Sequence, residues 1–159
     1  MSLAGAFAGG FVGTVVLTTG LRLAQELGLT RMDIPLLLGT IFSEDRSRAN
    51  IIGYALHFMN GLIFSGLYAA VFFAVGHAGW LFGALLGLVH AAFAGGALVN
   101  ILLPSVHPRM GTPWSDARET PILEAPGFML RNYGRHTALG TVLAHLAYGA
   151  IVGGFTAGL

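Results

Sequence analysis

Four long stretches of apolar residues, none interrupted by Asp, Glu, Lys or Arg, most strongly constrain how this chain can fold. A helix needs about 20 apolar residues to cross the hydrocarbon core of a bilayer. Only helices and closed barrels satisfy their own backbone hydrogen bonds there, and these stretches lack the alternation of a barrel. We therefore expect four transmembrane helices, at about residues 3–21, 50–75, 80–103 and 136–159.

The scarcity of charge supports the same conclusion. Only 9% of the residues are charged, whereas a soluble domain carries about a quarter, so the chain has too little charge to coat a water-facing surface. The absence of cysteine excludes disulfides, iron–sulfur clusters and zinc–thiolate sites. A net charge of +1 gives no basic field for nucleic acid. The lipid bilayer is the expected partner, and nucleic acid is not.

All basic residues are arginines, and they fall into two segments. The first segment, about 22–49, joins spans one and two, and the second, about 104–135, joins spans three and four. The short turn 76–79 and both termini carry no arginine. The positive-inside rule therefore predicts that both long loops are cytoplasmic and that both termini lie outside.

An internal repeat runs through the sequence. Residues 6–10 match residues 92–96, and the Arg-Met…Pro pattern of residues 31–35 returns at 109–113. The last match pairs His57, Gly61, Ile63 and Gly66 with His145, Gly149, Ile151 and Gly154. Because the matches keep their order, we expect a tandem duplication of a two-helix unit, with copies at about 1–76 and 79–159. The predicted fold is a single all-α transmembrane domain, a four-helix bundle with a pseudo-twofold axis along the membrane normal.

Both charged loops contain a second apolar patch. Residues 34–38 and 128–130 each suggest a short amphipathic helix at the level of the lipid headgroups. Trp114 suits an interfacial anchor. Glu44 and Asp45 are adjacent and do not share a helix face, so we expect a solvated pair. His77, His107 and His136 are expected to be solvated or interfacial.

Polar side chains inside the spans are the candidate functional residues, because burying them in lipid is costly. His57, His90 and His145 are predicted to point into the bundle, with Asn60, Tyr148 and Asn100 as neighbouring ligand-binding groups. Imidazole binds transition metals and haem iron, so these histidines are candidate metal ligands. Two alternatives stay open at this point. The histidines would relay protons, or they would form interhelical hydrogen bonds that fix the helix register.

The segments His57-Phe58-Met59-Asn60-Gly61 and His145-Leu146-Ala147-Tyr148-Gly149, placed around a charged loop, resemble a diffuse group of sequences. That group consists of small, uncharacterised bacterial four-helix membrane proteins. The resemblance implies a four-helix fold and a bacterial inner-membrane location, and it implies no activity.

Several classes of function are compatible with these features. The leading hypothesis is a module that binds a metal, haem or small ligand through the intramembrane histidines. The alternatives are an accessory subunit of a larger membrane complex, a small homo-oligomeric transporter or channel, and a membrane enzyme capped by its loops. No nucleophile elbow, P-loop or dinucleotide-binding fingerprint occurs, which favours a non-catalytic role. No acidic residue lies in a span to couple ion transport, which counts against a transporter.

Overall fold

The fold is all-helical. The computed structural model describes residues 1–111 and 123–158, and in these ranges 78% of the residues are helical and no strand occurs. Four helices are long and apolar enough to cross a membrane, which supports a membrane protein. They are Leu3–Glu26, Arg46–Val75, Trp80–Val106 and Thr137–Ala157. The predicted anchor Trp114 and the second-copy residues Thr112 and Pro113 lie outside the described residues.

Side-chain caps fix where the first helices begin. Ser2 accepts a hydrogen bond from the Gly5 N–H at 3.0 Å and caps α1 (Leu3–Glu26). Asp33 caps the short helix α2 (Ile34–Gly39), and Asp45 caps α3 (Arg46–Val75) by accepting from the Arg48 N–H at 2.8 Å. Such caps satisfy backbone donors that have no partner within the helix. Because Asp45 provides one, α3 begins four residues before the predicted boundary at residue 50.

The third span differs from its prediction. It comprises α4 (Trp80–Phe93), a π-helical segment (Ala94–Leu102) and α5 (Leu103–Val106). The prediction ended this span at Leu103, before Pro104, because a proline ring normally collides with the carbonyl group four residues earlier. The wider turn of the π segment displaces that carbonyl group, and the helix continues through Pro104 to Val106.

The four long helices form an incompletely closed ring. The last helix, α6 (Thr137–Ala157), contacts both α1 and α4 along much of its length, and α1 also contacts α3. In contrast, α3 and α4 contact each other sparsely, although only the turn 76–79 separates them along the chain. This arrangement leaves space between α3 and α4.

Glycines bring the contacting helices close together. Gly83 lies against the Gly149 backbone, and Gly9 lies against Val152, so that an added Cβ at either glycine would collide with α6. Small residues at helix interfaces are typical of membrane proteins, where close contact replaces the hydrophobic effect between helices. These glycines therefore hold α1 and α4 close against the last helix of the chain.

The outer surface of the helices is apolar. Ile51 is 72% exposed and Val89 is 66% exposed, and many further Leu, Val and Phe side chains also point outward. Contiguous apolar surface of this extent is unusual on a soluble monomer. It suits lipid as the surrounding medium.

Two short helices lie at the end of the bundle that carries the charged loops, at the two apolar patches of the sequence. Helix α2 crosses the start of α3, where Gly39 lies against the Ala49 backbone. A 3₁₀ helix (Phe128–Tyr133) lies near the π segment. Within it Met129 and Leu130 have φ angles of 52° and 59°, a left-handed conformation that costs about 1–2 kcal/mol for each non-glycine residue.

Candidate ligand cavity between the helices

A cavity of about 310 Å³ occupies the space between α3 and the third span. Helices α1 and α6 form its other walls, and α2 and the 3₁₀ helix lie at the end near the charged loops. Ligand pockets in proteins typically enclose about 300–1,000 Å³. The cavity is therefore large enough for a small organic molecule.

Five of the six predicted site residues line this cavity: His57, Asn60, His90, His145 and Tyr148. They come from three helices, so the fold brings together side chains that are far apart in the sequence. Asn100 does not line it, and its side-chain amide lies 3.5 Å from the Gly96 carbonyl oxygen. The structure therefore brings the predicted set together except for Asn100.

Aromatic contacts hold His90 in place. Its ring stacks on Phe64 of α3, with ring centroids 3.8 Å apart, and this contact bridges the sparsely packed α3 and α4. The His145 ring meets it edge-on at a centroid distance of 4.6 Å. On the far side, the Tyr68 hydroxyl lies 3.4 Å from Nδ1 of His90. His90 is thus enclosed by rings from α3 and α6.

Backbone hydrogen bonds orient two further groups. The Tyr148 hydroxyl donates to the Gly61 carbonyl oxygen, and Nδ1 of His145 lies 2.8 Å from the Thr141 carbonyl oxygen. Because a carbonyl oxygen only accepts, Nδ1 of His145 must carry the proton. In the neutral imidazole, Nε2 of His145 is then a hydrogen-bond acceptor.

Two buried polar atoms of the cavity wall have no hydrogen-bond partner in the described part of the chain. They are Nε2 of His57 and the Thr141 hydroxyl oxygen. Thr141 is only 2% exposed. A buried polar group without a partner costs about 1–3 kcal/mol, and native proteins leave few such groups. Both atoms are fully covered by neighbouring protein atoms, so a molecule in the cavity does not reach them in this arrangement of side chains.

The histidines do not form an evident metal centre. Within residues 1–111 and 123–158, no three His, Asp or Glu side chains are grouped so that they would hold a metal ion. The edge-on contact of His90 with His145 also leaves no space for a macrocycle between those two rings. Metal or haem binding by His57, His90 and His145 stays a prediction without geometric support.

The end of the cavity near the charged loops is apolar. Leu37 of α2, Leu103 and Val106 of the third span, and Leu130 of the 3₁₀ helix line it. Leu37 and Leu130 also belong to a buried cluster with Met32. Apolar side chains therefore form most of the cavity wall, and a few polar side chains interrupt it.

His107 was predicted to be solvated or interfacial; it is buried beside this end, so it is not solvated. It is 4% exposed, and its Nε2 donates to the Leu37 carbonyl oxygen at 3.0 Å. Its Nδ1 accepts from the Arg109 N–H at 3.0 Å. Burial lowers the pKa of His107 below its usual value of 6.5, and the adjacent Arg109 lowers it further. His77 and His136 are exposed, as predicted.

Arg109 ties the second loop to the first. Its guanidinium group donates to the Thr40 carbonyl oxygen at 2.7 Å and pairs with Glu44 at 3.2 Å. Asp45 instead caps α3, so the adjacent carboxylates of Glu44 and Asp45 have different partners. Both are exposed, and they do not form a paired-carboxylate site.

Sequence reasoning missed Thr141, which carries one of the two unpartnered atoms. Its position gave a signal that was not specific: Thr141 precedes His145 by four residues and therefore shares its helix face. Threonine hydroxyls in helices usually donate to the carbonyl group one turn earlier, as Thr156 does to Val152. The sequence therefore did not distinguish Thr141 from the other threonines.

Comparison with protein-family models, with curated proteins and with solved structures finds no match for this chain. Fold analogy therefore supplies no activity. The function has to be inferred from the cavity and its chemistry.

Proposed function

We propose that this membrane protein binds a small, mostly apolar molecule in the cavity between α3 and the third span. One observation carries the proposal: a cavity of about 310 Å³, lined mostly by apolar side chains, lies where the contact between α3 and α4 is sparse. A ligand that fills the cavity would supply the packing contacts that α3 and α4 do not make with each other.

Water is a poor occupant of this cavity. At about 30 Å³ per molecule, 310 Å³ corresponds to about ten waters. A buried water needs two to four polar partners, and apolar cavities of about 150 Å³ stay dry and bind benzene. Most of the residues that line the cavity are apolar, which favours a hydrocarbon body.

The membrane setting is part of the proposal. It comprises a four-helix bundle in a bacterial inner membrane, with both charged loops cytoplasmic and both termini outside. The segregation of all arginines into the two loops supports this orientation.

The tandem duplication is also part of the proposal, and the ordered sequence matches support it. The matched glycines have different neighbours, since Gly10 lies against Ser65 and Gly96 lies nearest Phe128.

Naphthalene is a suitable test probe, because it is fluorescent, apolar and small enough for a cavity twice the size of one that admits benzene. We expect saturable binding to the protein in nanodiscs, above the partitioning measured with empty nanodiscs. Ala94→Trp should weaken binding at least tenfold, because Ala94 lines the cavity and a bulky ring would fill it.

Val89→Trp is the matched control on the same span. Val89 points outward and does not line the cavity, so this variant should bind like the unmodified protein. Leu98→Phe, a milder filling change, serves if Ala94→Trp fails to fold. Equal naphthalene binding by folded filled and control variants, or no saturable binding at all, would contradict the proposal.

A further inference from the structure

The cavity is partly open to the surface of the molecule. Among the described residues that line it, the exposed ones are Leu102, Ser105 and Val106, and all three lie at the end of the third span. Val106 is 71% exposed and Leu102 is 50% exposed. The opening therefore lies where the third span approaches the charged loops, and aliphatic side chains form its edge.

Aromatic contacts join α3 and α4 on the other side of the cavity. The rings of Phe72 and Phe82 have centroids 5.6 Å apart, and those of Phe64 and His90 have centroids 3.8 Å apart. Both pairs lie toward the turn 76–79, whereas Val106 lies at the opposite end of the third span. The two spans are thus bridged near the turn, and the way into the cavity is near the charged loops.

Charged side chains beside the opening indicate its depth in a membrane. Arg109 follows Val106 by three residues and pairs with Glu44 of the first loop at 3.2 Å. Because charged side chains are costly within the hydrocarbon, such a pair is expected at the membrane surface. In the proposed membrane setting, the opening therefore faces the lipid next to the headgroups.

The length of the cavity matches that of one lipid chain. The residues of the third span that line it below the aromatic contacts run from Ala94 to Val106, which is twelve residues. At a rise of about 1.5 Å per residue, they span up to about 18 Å. The hydrocarbon core of a bilayer is about 30 Å thick, so a chain in one leaflet extends about 15 Å. A chain that enters at Val106 would pass Val99 and approach Ala94.

The chemistry of the wall also suits a lipid chain. No Asp, Glu or Arg among the described residues lines the cavity. An unpaired charge in a low-dielectric site is costly, so a charged group would stay outside. Lipid chains are the most abundant apolar groups next to the opening, and mass action fills even a weak site when its ligand is abundant. A lipid meets both conditions, because its headgroup stays at the interface while a chain enters.

We infer that the cavity binds one acyl chain of a bilayer lipid. The chain enters laterally at Leu102 and Val106, between α3 and the third span, and the headgroup stays beside the charged loops. This inference rests on the proposed function, because it names the apolar molecule that occupies the same cavity. It makes the gap between the two spans an entrance from the membrane.

A phosphatidylcholine with a diazirine within one acyl chain tests the inference on the protein in nanodiscs. Irradiation converts the diazirine to a carbene that inserts into the groups it touches, and mass spectrometry locates the label. Val99 and Val152 are a matched pair, because both valines are buried and Val152 does not line the cavity. Since insertion requires contact, within about 4.5 Å, we expect Val99 to be labelled about tenfold more than Val152. Ile101, on the same π segment but 60% exposed and outside the cavity wall, reports labelling from the surrounding lipid.

The ratio of Val99 to Ile101 labelling is the readout for variants and competitors. Leu98→Trp should lower this ratio, because Leu98 lines the cavity beside Val99 and a larger ring would block the chain. Leu98→Phe serves if that variant fails to fold. Val89→Trp, an exposed change outside the cavity wall, should leave the ratio unchanged. Added naphthalene should also lower the ratio, because it competes for the same space.

The outcomes separate this inference from the proposed function. If Val99 is labelled no more than Val152 in protein that binds naphthalene saturably, the lipid inference is overturned and cavity binding stands. A ratio that stays unchanged in folded Leu98→Trp or Leu98→Phe would also overturn it, because the chain would then reach Val99 by another path. If neither naphthalene nor the lipid chain enters, the proposed function falls as well.

Discussion

His107 joins the two charged loops through Nε2, whereas its Nδ1 makes a hydrogen bond within its own loop. Nε2 donates to the Leu37 carbonyl oxygen, and Nδ1 accepts from the Arg109 N–H. This arrangement requires the neutral ring, because a proton on Nδ1 would face the Arg109 N–H. The Arg109 guanidinium group adds two further contacts between the loops, a hydrogen bond to the Thr40 carbonyl oxygen and an ion pair with Glu44. A proton on Nδ1 therefore opposes the hydrogen bond from the Arg109 N–H, beside the contacts that join the two loops.

The stability of the protein should consequently fall on acidification through His107. Burial lowers the pKa of His107 in the folded protein, whereas in the unfolded chain it is near 6.5. Above pH 6.5 both states are neutral. Below it the unfolded chain binds a proton that the folded protein resists, so the free energy of unfolding decreases by at most about 1.4 kcal/mol per pH unit.

Thermal unfolding in detergent at pH 7.5 and 5.5 measures this effect. The loss between the two pH values should be smaller in His107→Gln than in the unmodified protein, because the other titrating groups are common to both. His136→Gln, which changes an exposed histidine, should keep the full loss. An identical pH dependence in His107→Gln and the unmodified protein would exclude this role.

At the residue level, the sequence predicted side chains that share a helix face and missed those joined by distant segments. His57 and Asn60 were predicted to face inward together, and both line the cavity. The burial of His107 depends on Leu37, seventy residues away. Nothing in the local sequence of His107 records that contact, so a solvated or interfacial histidine was the expectation.

Helix α2 depends on two close backbone contacts with α3. Gly39 lies against Ala49, and Gly53 of α3 lies against Pro35, so that a Cβ at either glycine would overlap a carbonyl oxygen. Since α2 also lines the cavity through Leu37 and supports His107, these contacts determine the shape of the end near the charged loops.

Gly53→Ala should separate α2 from α3 and lower the free energy of unfolding by about 1–3 kcal/mol, as overpacking typically does. Gly20→Ala is the control, because Gly20 lies within α1 with no atom within 4 Å of an added Cβ. That change should stabilise α1 by about 0.5–1 kcal/mol. Unfolding in a denaturing detergent, followed by circular dichroism, measures both. A neutral or stabilising Gly53→Ala would show that α2 is not held in this position.

At the element level, the local sequence predicted where the helices lie, but it did not predict which helices contact each other. Apolar length gave the four spans, and the patches at residues 34–38 and 128–130 gave the two short helices. The π segment at Ala94–Leu102 has no comparable local signal. It results from continuing a helix through Pro104 while the third span lies beside the 3₁₀ helix, and the sequence does not reveal that neighbour.

The cavity reflects an asymmetry of the whole molecule. A twofold relation between the halves would pair α3 with α4 as closely as α6 pairs with α1, because each pair joins one helix from each half. The contact between α1 and α6 is close, and the contact between α3 and α4 is sparse. The cavity occupies the place of the missing contact. The apolar stretches therefore predicted the helices, whereas the cavity lies where the helix contacts depart from a twofold arrangement.

The proposed orientation in the membrane leads to the last prediction. The chain contains no cysteine, so a single introduced cysteine is the sole target for a maleimide. His77 is exposed in the arginine-free turn, and Ser47 is exposed beside Arg46 and Arg48. Arginines are retained on the cytoplasmic side. We therefore expect a membrane-impermeant maleimide to label His77→Cys on intact cells, and to label Ser47→Cys only after the membrane is permeabilised.

The reverse labelling pattern would show that the orientation is inverted. Labelling of both variants on intact cells would show that residues 46–75 do not cross the membrane, and the cavity would then have to be reassigned to an aqueous setting.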